Sequence, residues 1–500
     1  MNPESAEAFT FVGWDLDTGG DAVTLRCTYA IDDETFTEVV GVDTIPAMAA
    51  GPQGASDQRP APGGGTQAAV ESAARLVFLL AGVSYFKAAS PPLVTFASGQ
   101  NDLTSAEREL LWAHHVDGLG EYAFRNDLNL TGLRLDAADR PPGPLRPPPD
   151  HPTRPLIPFG GGIDSIVTVE GVRAVAPDAD TALFVMSRRG DRFDAIEAPL
   201  EVSGLPVVRA WRALDPKILE SAARGYRNGH VPVTGILSAV ALLAAAVHDR
   251  DAVVMSNEWS ASAPNLEHAG RPVNHQWSKS LAFEGLLRAT LATSPLAHVN
   301  YHSWLRPRSE LWVARRFAEL SGYHRAFRSC NRSFALDPAR RLQRWCGQCD
   351  KCCFIDLILS PYVDARTLAQ VFDGAEPLHH AELRPAFAAL LGLSDDAKPF
   401  ECVGDVDECR VAVSLAARRG DRGADHLVQT LADEVAAVIP GDPAAHATTL
   451  LAPLGPHFIP PGLAPADLPP ADTPGQPTPD LRSTPSTSGD SRGSDADELD

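Results

Sequence analysis

The feature that most constrains the fold is a run of three glycines between a short apolar segment and a helical one. Residues 156–159 are apolar, residues 160–162 are all glycine, and Asp164 and Ser165 open an apolar helical pattern. A glycine turn between a strand and a helix lets backbone N–H groups converge on an anion, and the helix dipole adds positive charge there. The spacing is not that of a Walker A loop, and the contiguous glycines do not form a dinucleotide fingerprint. The segment predicts a strand end that binds an anion.

Short apolar runs alternate with helical patterns from this point onward. The candidate strands are residues 156–159, 182–187, 206–211 and 252–256. Near-continuous apolar runs of this kind predict a parallel sheet that is covered on both faces. Ligands of such sheets bind beyond the carboxyl ends of the strands, where the glycine turn, residues 188–189 and residues 257–258 fall. The pattern therefore predicts an α/β fold with a doubly wound, mostly parallel sheet and one active site.

Before this unit, the sequence predicts a small N-terminal α+β domain over residues 1–139. Residues 8–43 alternate apolar and polar side chains around a Thr-Gly-Gly turn, which predicts a small antiparallel sheet. Helical patterns follow near residues 68–87 and after Thr104, where the order Thr-Ser-Ala-Glu has the spacing of a capping box. The proline-dense residues 140–155 predict a linker to the second domain.

The remaining boundaries follow from changes in composition. Residues 156–360 are predicted to form the α/β domain together with a cysteine-rich segment, and residues 361–454 a helical C-terminal region. Residues 455–500 contain mostly Pro, Ser, Asp and Thr with few large apolar side chains, so we expect a disordered acidic tail.

Charge and apolar patterning narrow the class of protein. The formal net charge is −21, which argues against a general nucleic-acid or membrane-surface binder. No apolar export segment follows Met1, and the most apolar helical stretch, residues 233–247, is too short to span a bilayer. We therefore expect a cytoplasmic protein with neither nucleic acid nor membrane as partner. Its eight cysteines are then expected to be reduced or metal-bound.

A second pattern is a cluster of cysteines with close spacing. Cys330 precedes a segment in which Cys346, Cys349 and Cys352 make two successive CxxC steps. Four thiolates in this arrangement suit tetrahedral Zn²⁺, and we expect a structural clip that pins this segment to the α/β core. Cys353 is then the spare thiol. The alternative is a group of buried free cysteines.

Polar side chains crowd the stretch that follows the predicted strand at residues 252–256. Glu258, His275 and Lys279 carry groups that can transfer protons, and two tryptophans among them argue against an ordinary solvated loop. His275 and Lys279 are four residues apart and share a face if the segment is helical. Either can act as a general base once its pKa is tuned, and Glu258 is the third candidate.

Four arginines downstream are candidate clamps for phosphate or carboxylate groups, because a guanidinium binds such anions with two parallel hydrogen bonds. They are Arg306, Arg308, Arg325 and Arg328. Taken one at a time, each of them also fits an ordinary surface arginine.

The glycine segment resembles the SGGxDS pyrophosphate loop (PP-loop) of the ATP pyrophosphatases, which split ATP into AMP and pyrophosphate. The resemblance implies that Gly160, Gly161, Gly162 and Ser165 bind ATP and that Asp164 helps to hold Mg²⁺. Asp164 is alternatively only an acid at a helix N-terminus. One position departs from the pattern, because the family's first serine is Gly160 here. One hydroxyl contact to phosphate is therefore missing, and Ser165 and the backbone donors have to carry more of that role.

Taken together, the motifs resemble the MurL-type epimerases of peptidoglycan precursor synthesis. The resemblance covers roughly residues 155–410 and rests on FGGGIDS, SNEWSAS, VNHQWSKS, LRPRSE, RSCNRSF, WCGQCDKC and KPFECVGDV. It implies that the terminal L-Glu of UDP-N-acetylmuramoyl-L-alanyl-L-glutamate is converted to D-Glu, with Mg²⁺ as cofactor and with ATP split into AMP and pyrophosphate.

This implied activity has a simple chemical logic. The α-proton beside a carboxylate is very weakly acidic, and transfer of AMP to that carboxylate removes its charge, so that a base can take the proton. Inversion then needs acid–base groups on both faces of the carbon, or one mobile group. His275 and Lys279 are the candidates, with Glu258 third and Cys330 a substitute only if it is not on zinc.

Two other functions stay open at this stage. The glycine loop and a four-cysteine zinc site are also similar to those of 7-cyano-7-deazaguanine synthases, which join ammonia to an adenylated carboxylate. The missing serine at Gly160 also fits a non-catalytic nucleotide-binding protein.

Overall fold

The computed structural model describes residues 3–48, 66–335, 337–394, 403–423 and 425–471. The strands are β1 (Ala8–Asp17), β2 (Ala22–Ile31), β3 (Glu34–Asp43), β4 (Ala47–Met48), β5 (Leu93–Phe96), β6 (Asp102–Leu103), β7 (Arg134–Asp136), β8 (Ala138–Asp139), β9 (Pro155–Pro158), β10 (Ala182–Ser187), β11 (Pro206–Ala213), β12 (Ala252–Met255), β13 (Leu266–His268), β14 (Arg271–Val273) and β15 (Asn300–Ser303).

The helices are α1 (Gln67–Ala81), α2 (Val83–Phe86), α3 (Ser105–Val116), α4 (Gly120–Arg125), α5 (Ile163–Val175), α6 (Asp194–Ser203), α7 (Pro216–Leu219), α8 (Val233–Val247), α9 (Leu281–Ala292), α10 (Glu310–Ala318), α11 (Asp350–Leu359), α12 (Ala365–Val371), α13 (Arg384–Leu390), α14 (Val406–Ala416), α15 (His426–Val438) and α16 (Ala447–Leu450). Short 3₁₀ helices include Trp259–Ser262 and Trp277–Lys279.

One large mixed sheet organises the described residues. Its strand order is β15-β12-β9-β10-β11-β3-β2-β1-β5-β7, with β4 paired to β11. The five strands from β15 to β11 are parallel, and they include the four strands predicted from the sequence. From β9 the chain moves outward to β10 and β11 and then returns to β12 on the other side of β9. This reversal is the switch point of a doubly wound sheet, where a crevice opens beyond the strand ends.

The central parallel strands β9 and β12 are buried on both faces, which explains the near-continuous apolar runs in their sequences. Successive residues of one strand belong to different cores: Leu156 packs in the core that contains α1 and α8, and Ile157 in the core that contains α5 and the C-terminal helices. Val253 and Val254 divide in the same way. The sheet therefore separates the two hydrophobic cores.

The predicted antiparallel strands of the N-terminal segment are present as β1, β2 and β3. They continue the α/β sheet, because β3 pairs with β11 over residues from Val39 to Val42. At Gly41 a Cβ atom would lie 2.2 Å from the ring of Trp211, so this pairing requires glycine. The predicted α+β and α/β segments thus share one sheet and one of its two cores.

The predicted N-terminal helices are also present. The pattern near residues 68–87 corresponds to α1 and α2, which together run from Gln67 to Phe86 with Gly82 between them. The backbone N–H of Glu107 donates to Thr104 Oγ1 at 3.1 Å, which is part of the predicted capping box of α3. The run Gln67–Phe86 is long and apolar enough to cross a membrane by length and composition alone. However, 83% of its apolar window is buried inside the protein, as expected for a core helix.

The described residues of the predicted helical region 361–454 contain the helices α12 to α16. The expectation of disorder from residue 455 is wrong for residues 455–471, which pack against the core. Ile459 and Leu463 are buried, and Trp304 Nε1 donates to the Leu463 carbonyl at 2.9 Å. Composition predicted disorder here because the segment contains few large apolar residues. A few of them, placed where they can be buried, are nevertheless enough to anchor a short segment on the core. The rest of the predicted tail, residues 472–500, lies outside the described residues.

The buried imidazole of His115 makes the fold sensitive to acid. Burial lowers the pKa of His115 to about 4 from an ordinary value of 6.5, so it stays neutral in the folded chain. Below pH 6.5 the unfolded chain takes up a proton that the folded chain does not, and stability falls as the pH drops toward 4. We predict that His115→Phe reduces the loss in the free energy of unfolding between pH 8 and pH 4 by roughly 3 kcal/mol.

Urea unfolding between pH 4 and pH 8 measures this effect as the slope of stability against pH. The exposed His298, changed to Gln, is the matched control and should leave the slope unchanged. Equal slopes for the native chain and His115→Phe would contradict the prediction.

Candidate functional site

The glycine turn lies between β9 and α5, at the switch point of the sheet. Gly161 has a φ of 76°, and a Cβ atom there would lie 2.3 Å from the carbonyl oxygen of Ala195, so only glycine fits. Gly162 is the N-cap residue of α5 and no side chain caps the helix, which leaves its first N–H groups available to an anion. A Cβ atom at Gly160 would meet no atom within 4 Å. Ser165 Oγ donates to the carbonyl of Gly162 at 3.0 Å and braces the turn.

Three carboxylates converge beside this turn. Asp164 lies in the first turn of α5, Glu258 follows β12, and Glu310 is the first residue of α10. One oxygen of each lies within 4.8 Å of the others. The sequence predicted Asp164 for this role and considered Glu258 as a base, but it did not single out Glu310, although the quoted LRPRSE motif contains it.

Glu310 is the most unusual of the three carboxylates. It is 5% exposed, and its Oε2 has no hydrogen-bond partner among the described residues. Burial, together with the charges of Asp164 and Glu258, raises the pKa of Glu310 well above its ordinary value. The nearby ammonium of Lys351 opposes this rise. Carboxylate oxygens are the preferred ligands of Mg²⁺, so the donor set fits a divalent cation.

A fourth carboxylate fixes the start of α10. The Glu408 side chain accepts from the backbone N–H of Leu311 at 3.1 Å. Burial, with Asp405 nearby, raises the pKa of Glu408 to about 8. Glu408 thereby holds the helix end that carries Glu310.

Arg306 links the carboxylate group to the polar loop that follows it. Its guanidinium is fully buried, pairs with Glu284 at 3.0 Å, and donates to the carbonyls of Glu258 at 2.9 Å and Lys279 at 2.5 Å. The interpretation of Arg306 as an ordinary surface group is therefore wrong. Its donors are used to hold two loops together, so residues 258 and 279 are neighbours.

The other three candidate arginines are also bound to protein groups. Arg308 is buried and donates to both carboxylate oxygens of Asp467, each at 2.7 Å. Arg325 donates to Gln370 at 2.7 Å, and Arg328 donates to the carbonyl of Gln343. The Arg308 pair ties the C-terminal strap, residues 455–471, to the loop that precedes α10.

The predicted base His275 belongs to a cluster with Glu121 and His230. His275 Nδ1 hydrogen-bonds Glu121 Oε2, and the ring of His230 lies 4.3 Å from that of His275 between centroids. Burial would raise the pKa of Glu121, but hydrogen bonds from His275 and Arg125 outweigh it and lower that pKa. Burial, with His275 nearby, lowers the pKa of His230 to about 4. The cluster thus pairs an ionised carboxylate with one imidazole beside a neutral one.

Lys279 follows His275 by four residues, but the two do not share a helix face. Residues 274–276 form a turn, and only Trp277–Lys279 is helical, as a 3₁₀ turn. The short polar segment favours local side-chain hydrogen bonds over an α-helix: the Asn274 side chain accepts from Gln276 N at 2.7 Å. Lys279 Nζ donates to Gln276 Oε1 at 2.9 Å.

The four predicted zinc ligands come together. Sγ atoms of Cys330, Cys346, Cys349 and Cys352 all lie within 4.8 Å of one another. The Sγ atom of Cys352 is 3.6 Å from that of Cys346 and 3.5 Å from that of Cys349. Sulfurs on a tetrahedral Zn²⁺ with bonds of about 2.3 Å lie about 3.8 Å apart, so the arrangement fits zinc. Cys353 is not in this group; it is buried, and burial raises its pKa.

The cysteine-rich segment is docked on the α/β core by other contacts as well. Arg341 donates to both carboxylate oxygens of Asp191, in the loop after β10, each at 2.6 Å. The same segment carries Lys351 close enough to Glu310 to oppose the rise in its pKa. The thiol group therefore lies beside the strand-end crevice.

The structure is that of an α/β protein with a glycine turn and three clustered carboxylates at the switch point of its sheet. A histidine–carboxylate pair lies in the polar segment that follows β12. Residues 1–304 match the description MurL N-terminal domain, and residues 326–446 match MurL C-terminal domain. The chain belongs to the MurL family. The match to the first domain runs without a break through the predicted linker at residues 140–155.

Three relatives of the chain carry one descriptive name, UDP-N-acetyl-alpha-D-muramoyl-L-alanyl-L-glutamate epimerase. The protein of Micromonospora sp. is 37% identical over 92% of this chain and 97% of its own length. That of Xanthomonas oryzae pv. oryzae is 37% identical over 91% and 95%, and that of Salinispora tropica 38% over 91% and 94%. No solved structure matches the chain.

The cluster of four cysteines leads to a direct prediction. Cys349→Ala removes one of four ligands, so purified protein should fall from about one equivalent of zinc to well below half an equivalent. Cys353→Ala, next to the ligand set, is the control and should keep its zinc. Metal analysis of both variants decides between a zinc site and four free thiols, and equal zinc contents would exclude the four-cysteine assignment.

Proposed function

We propose that this chain converts the terminal L-Glu of UDP-N-acetylmuramoyl-L-alanyl-L-glutamate to D-Glu through an acyl-adenylate, consuming ATP and releasing AMP and pyrophosphate. The observation that carries the proposal is the position of the glycine turn beside three carboxylates at the switch point of the sheet. The names of the relatives support the substrate. The strand–turn–helix in a doubly wound sheet supports a PP-loop fold, and ATP use agrees with the expected cytoplasmic location.

In the first step a glutamyl carboxylate oxygen attacks the α-phosphorus of ATP, and pyrophosphate leaves. The backbone N–H groups of the turn formed by Gly160, Gly161 and Gly162 would donate hydrogen bonds to the phosphates, and the uncapped N-terminus of α5 adds positive charge. Ser165 keeps the turn in shape through its hydrogen bond to the Gly162 carbonyl. The mixed anhydride that forms has no charge on the former carboxylate, so its α-proton is far more acidic.

Asp164, Glu258 and Glu310 would hold Mg²⁺, which would neutralise phosphate charge when bound. This assignment gives Glu258 the role of a cation ligand in place of a base. It also explains why carboxylates are kept buried together, since ionised groups at this distance repel one another unless a cation lies between them.

The α-proton is taken by His275. Glu121 accepts from His275 Nδ1, which leaves Nε2 as the basic nitrogen and stabilises the imidazolium after proton uptake. His230 is neutral, so it does not repel that positive charge. Lys279 is the group that returns a proton on the opposite face. Water then hydrolyses the anhydride to the free acid and AMP.

Incubation with ATP, Mg²⁺ and the L-Glu substrate tests the proposal. Acid hydrolysis followed by chiral chromatography should show D-Glu, with AMP and pyrophosphate formed in equal amounts. Asp164→Asn should abolish both, and Glu310→Gln should raise the Mg²⁺ concentration that the reaction needs. D-Glu without AMP would exclude the adenylate. AMP formed only with another carboxylic acid would favour the amide- or nitrile-forming ligases.

The histidine–carboxylate pair can be tested apart from ATP chemistry. His275→Gln and Glu121→Gln should slow deuterium uptake from D₂O at the glutamyl α-carbon by about 10²- to 10⁴-fold, the usual contribution of general acid–base catalysis. The isotope exchange between pyrophosphate and ATP should persist, because it requires only the first step.

His268→Gln is the matched control for these variants, since His268 lies in the β13–β14 hairpin and its Nε2 hydrogen-bonds the carbonyl of Leu128, which follows α4. It should leave deuterium uptake unchanged. Normal uptake in both His275→Gln and Glu121→Gln would rule out the assignment of the base.

A further inference from the structure

We propose that Ser329 supplies the phosphate-binding hydroxyl that the PP-loop pattern lacks at Gly160. This inference rests on the proposed binding of ATP at the glycine turn. It concerns a residue 169 positions away from Gly160 in the sequence, which the fold brings to the same turn.

The first observation is the position of the Ser329 hydroxyl. Its Oγ lies 3.0 Å from the point that a Cβ atom on Gly162 would occupy. Within the described residues this hydroxyl makes no hydrogen bond. A hydroxyl at the N-terminus of α5 is therefore available to a ligand bound there.

The second observation is that a buried carboxylate beside the turn lacks a hydrogen-bond partner. Glu310 is 5% exposed, and its Oε2 has no hydrogen-bond partner among the described residues. It belongs to the cluster of three carboxylates that includes Asp164, which follows Gly162 by two residues. Buried unsatisfied carboxylates are costly, and a cation with its phosphate ligand supplies the missing partners. Ser329 lies on the side of the turn formed by the cysteine-rich segment.

The third observation is how Ser329 is held. It immediately precedes Cys330, whose Sγ accepts from the backbone N–H of Cys346 at 3.4 Å. On its other side, Arg328 donates to the carbonyl of Gln343. The four-cysteine cluster thus fixes the backbone position of Ser329. The predicted zinc clip therefore has a direct role in phosphate binding.

Gly160 offers a rescue experiment, because its φ lies outside the left-handed region and a Cβ atom there meets nothing within 4 Å. Ser329→Ala should weaken binding of inorganic pyrophosphate and raise the KM for ATP by about 10-fold or more, the loss expected for one hydrogen bond to a charged group. Adding Gly160→Ser to Ser329→Ala should restore most of this loss, because it returns a hydroxyl to the position that the family uses.

Ser333→Ala is the matched control, a serine of the same segment whose Oγ contacts only the carbonyl of Arg344. It should leave both the affinity for pyrophosphate and the KM for ATP unchanged. All variants should keep the zinc content and the thermal unfolding midpoint of the native chain. Unchanged ATP constants in Ser329→Ala would overturn the proposal, and so would a loss that Gly160→Ser does not restore. If Gly160→Ser alone impairs pyrophosphate binding, the variant Ser329→Thr replaces it as the test. Because threonine retains the hydroxyl, Ser329→Thr should bind pyrophosphate as the native chain does. A loss of affinity as large as that of Ser329→Ala would refute the role of the hydroxyl.

The outcome is separable from that of the proposed function. If the native chain forms neither D-Glu nor AMP, the proposed reaction fails whatever Ser329 does. If the native chain is active and Ser329→Ala is equally active, only the assignment of Ser329 fails.

Discussion

The reversal of strand order between β9 and β12 is the constraint on which the rest of the site depends. Both faces of the parallel sheet are covered by helices, so ligands can reach the strands only beyond their ends. The glycine turn follows β9 and Glu258 follows β12, which places them across the crevice that this reversal opens. The segment after β15 then turns into α10 and delivers Glu310 to the same place.

Two kinds of buried charge lie side by side around this crevice. Arg306 and Glu284 are paired and fully hydrogen-bonded, and they hold the loops of residues 258 and 279 together. Glu310, in contrast, keeps an unpartnered oxygen and a raised pKa. Breaking the paired charges would destabilise the fold, whereas the unsatisfied carboxylate costs stability as it stands. Such a cost is typical of positions that wait for a cation and a substrate.

The parts of this protein that could be predicted from its sequence are those encoded over short distances. The strands from β9 to β12, the capping box of α3 and the thiol spacing all depend on residues within a few positions of one another, apart from Cys330. Glu121 and His230 could not be found in this way, because each is an isolated polar residue in an unremarkable segment. His275 and Lys279 were found by their chemistry, but their common helix face was not realised, since local hydrogen bonds of Asn274 replace the helix.

By itself the sequence determined the glycine turn, the strands around it, the cysteine group and the resemblance to one family of epimerases. Only the tertiary structure decided that the N-terminal strands extend the α/β sheet, that residues 455–471 pack on the core, and that Glu310 and Ser329 lie at the glycine turn. The physical reason is the range of the interactions. Turns, caps and CxxC steps are set by backbone geometry over a few residues, whereas strand pairing and charge clustering depend on how distant surfaces pack.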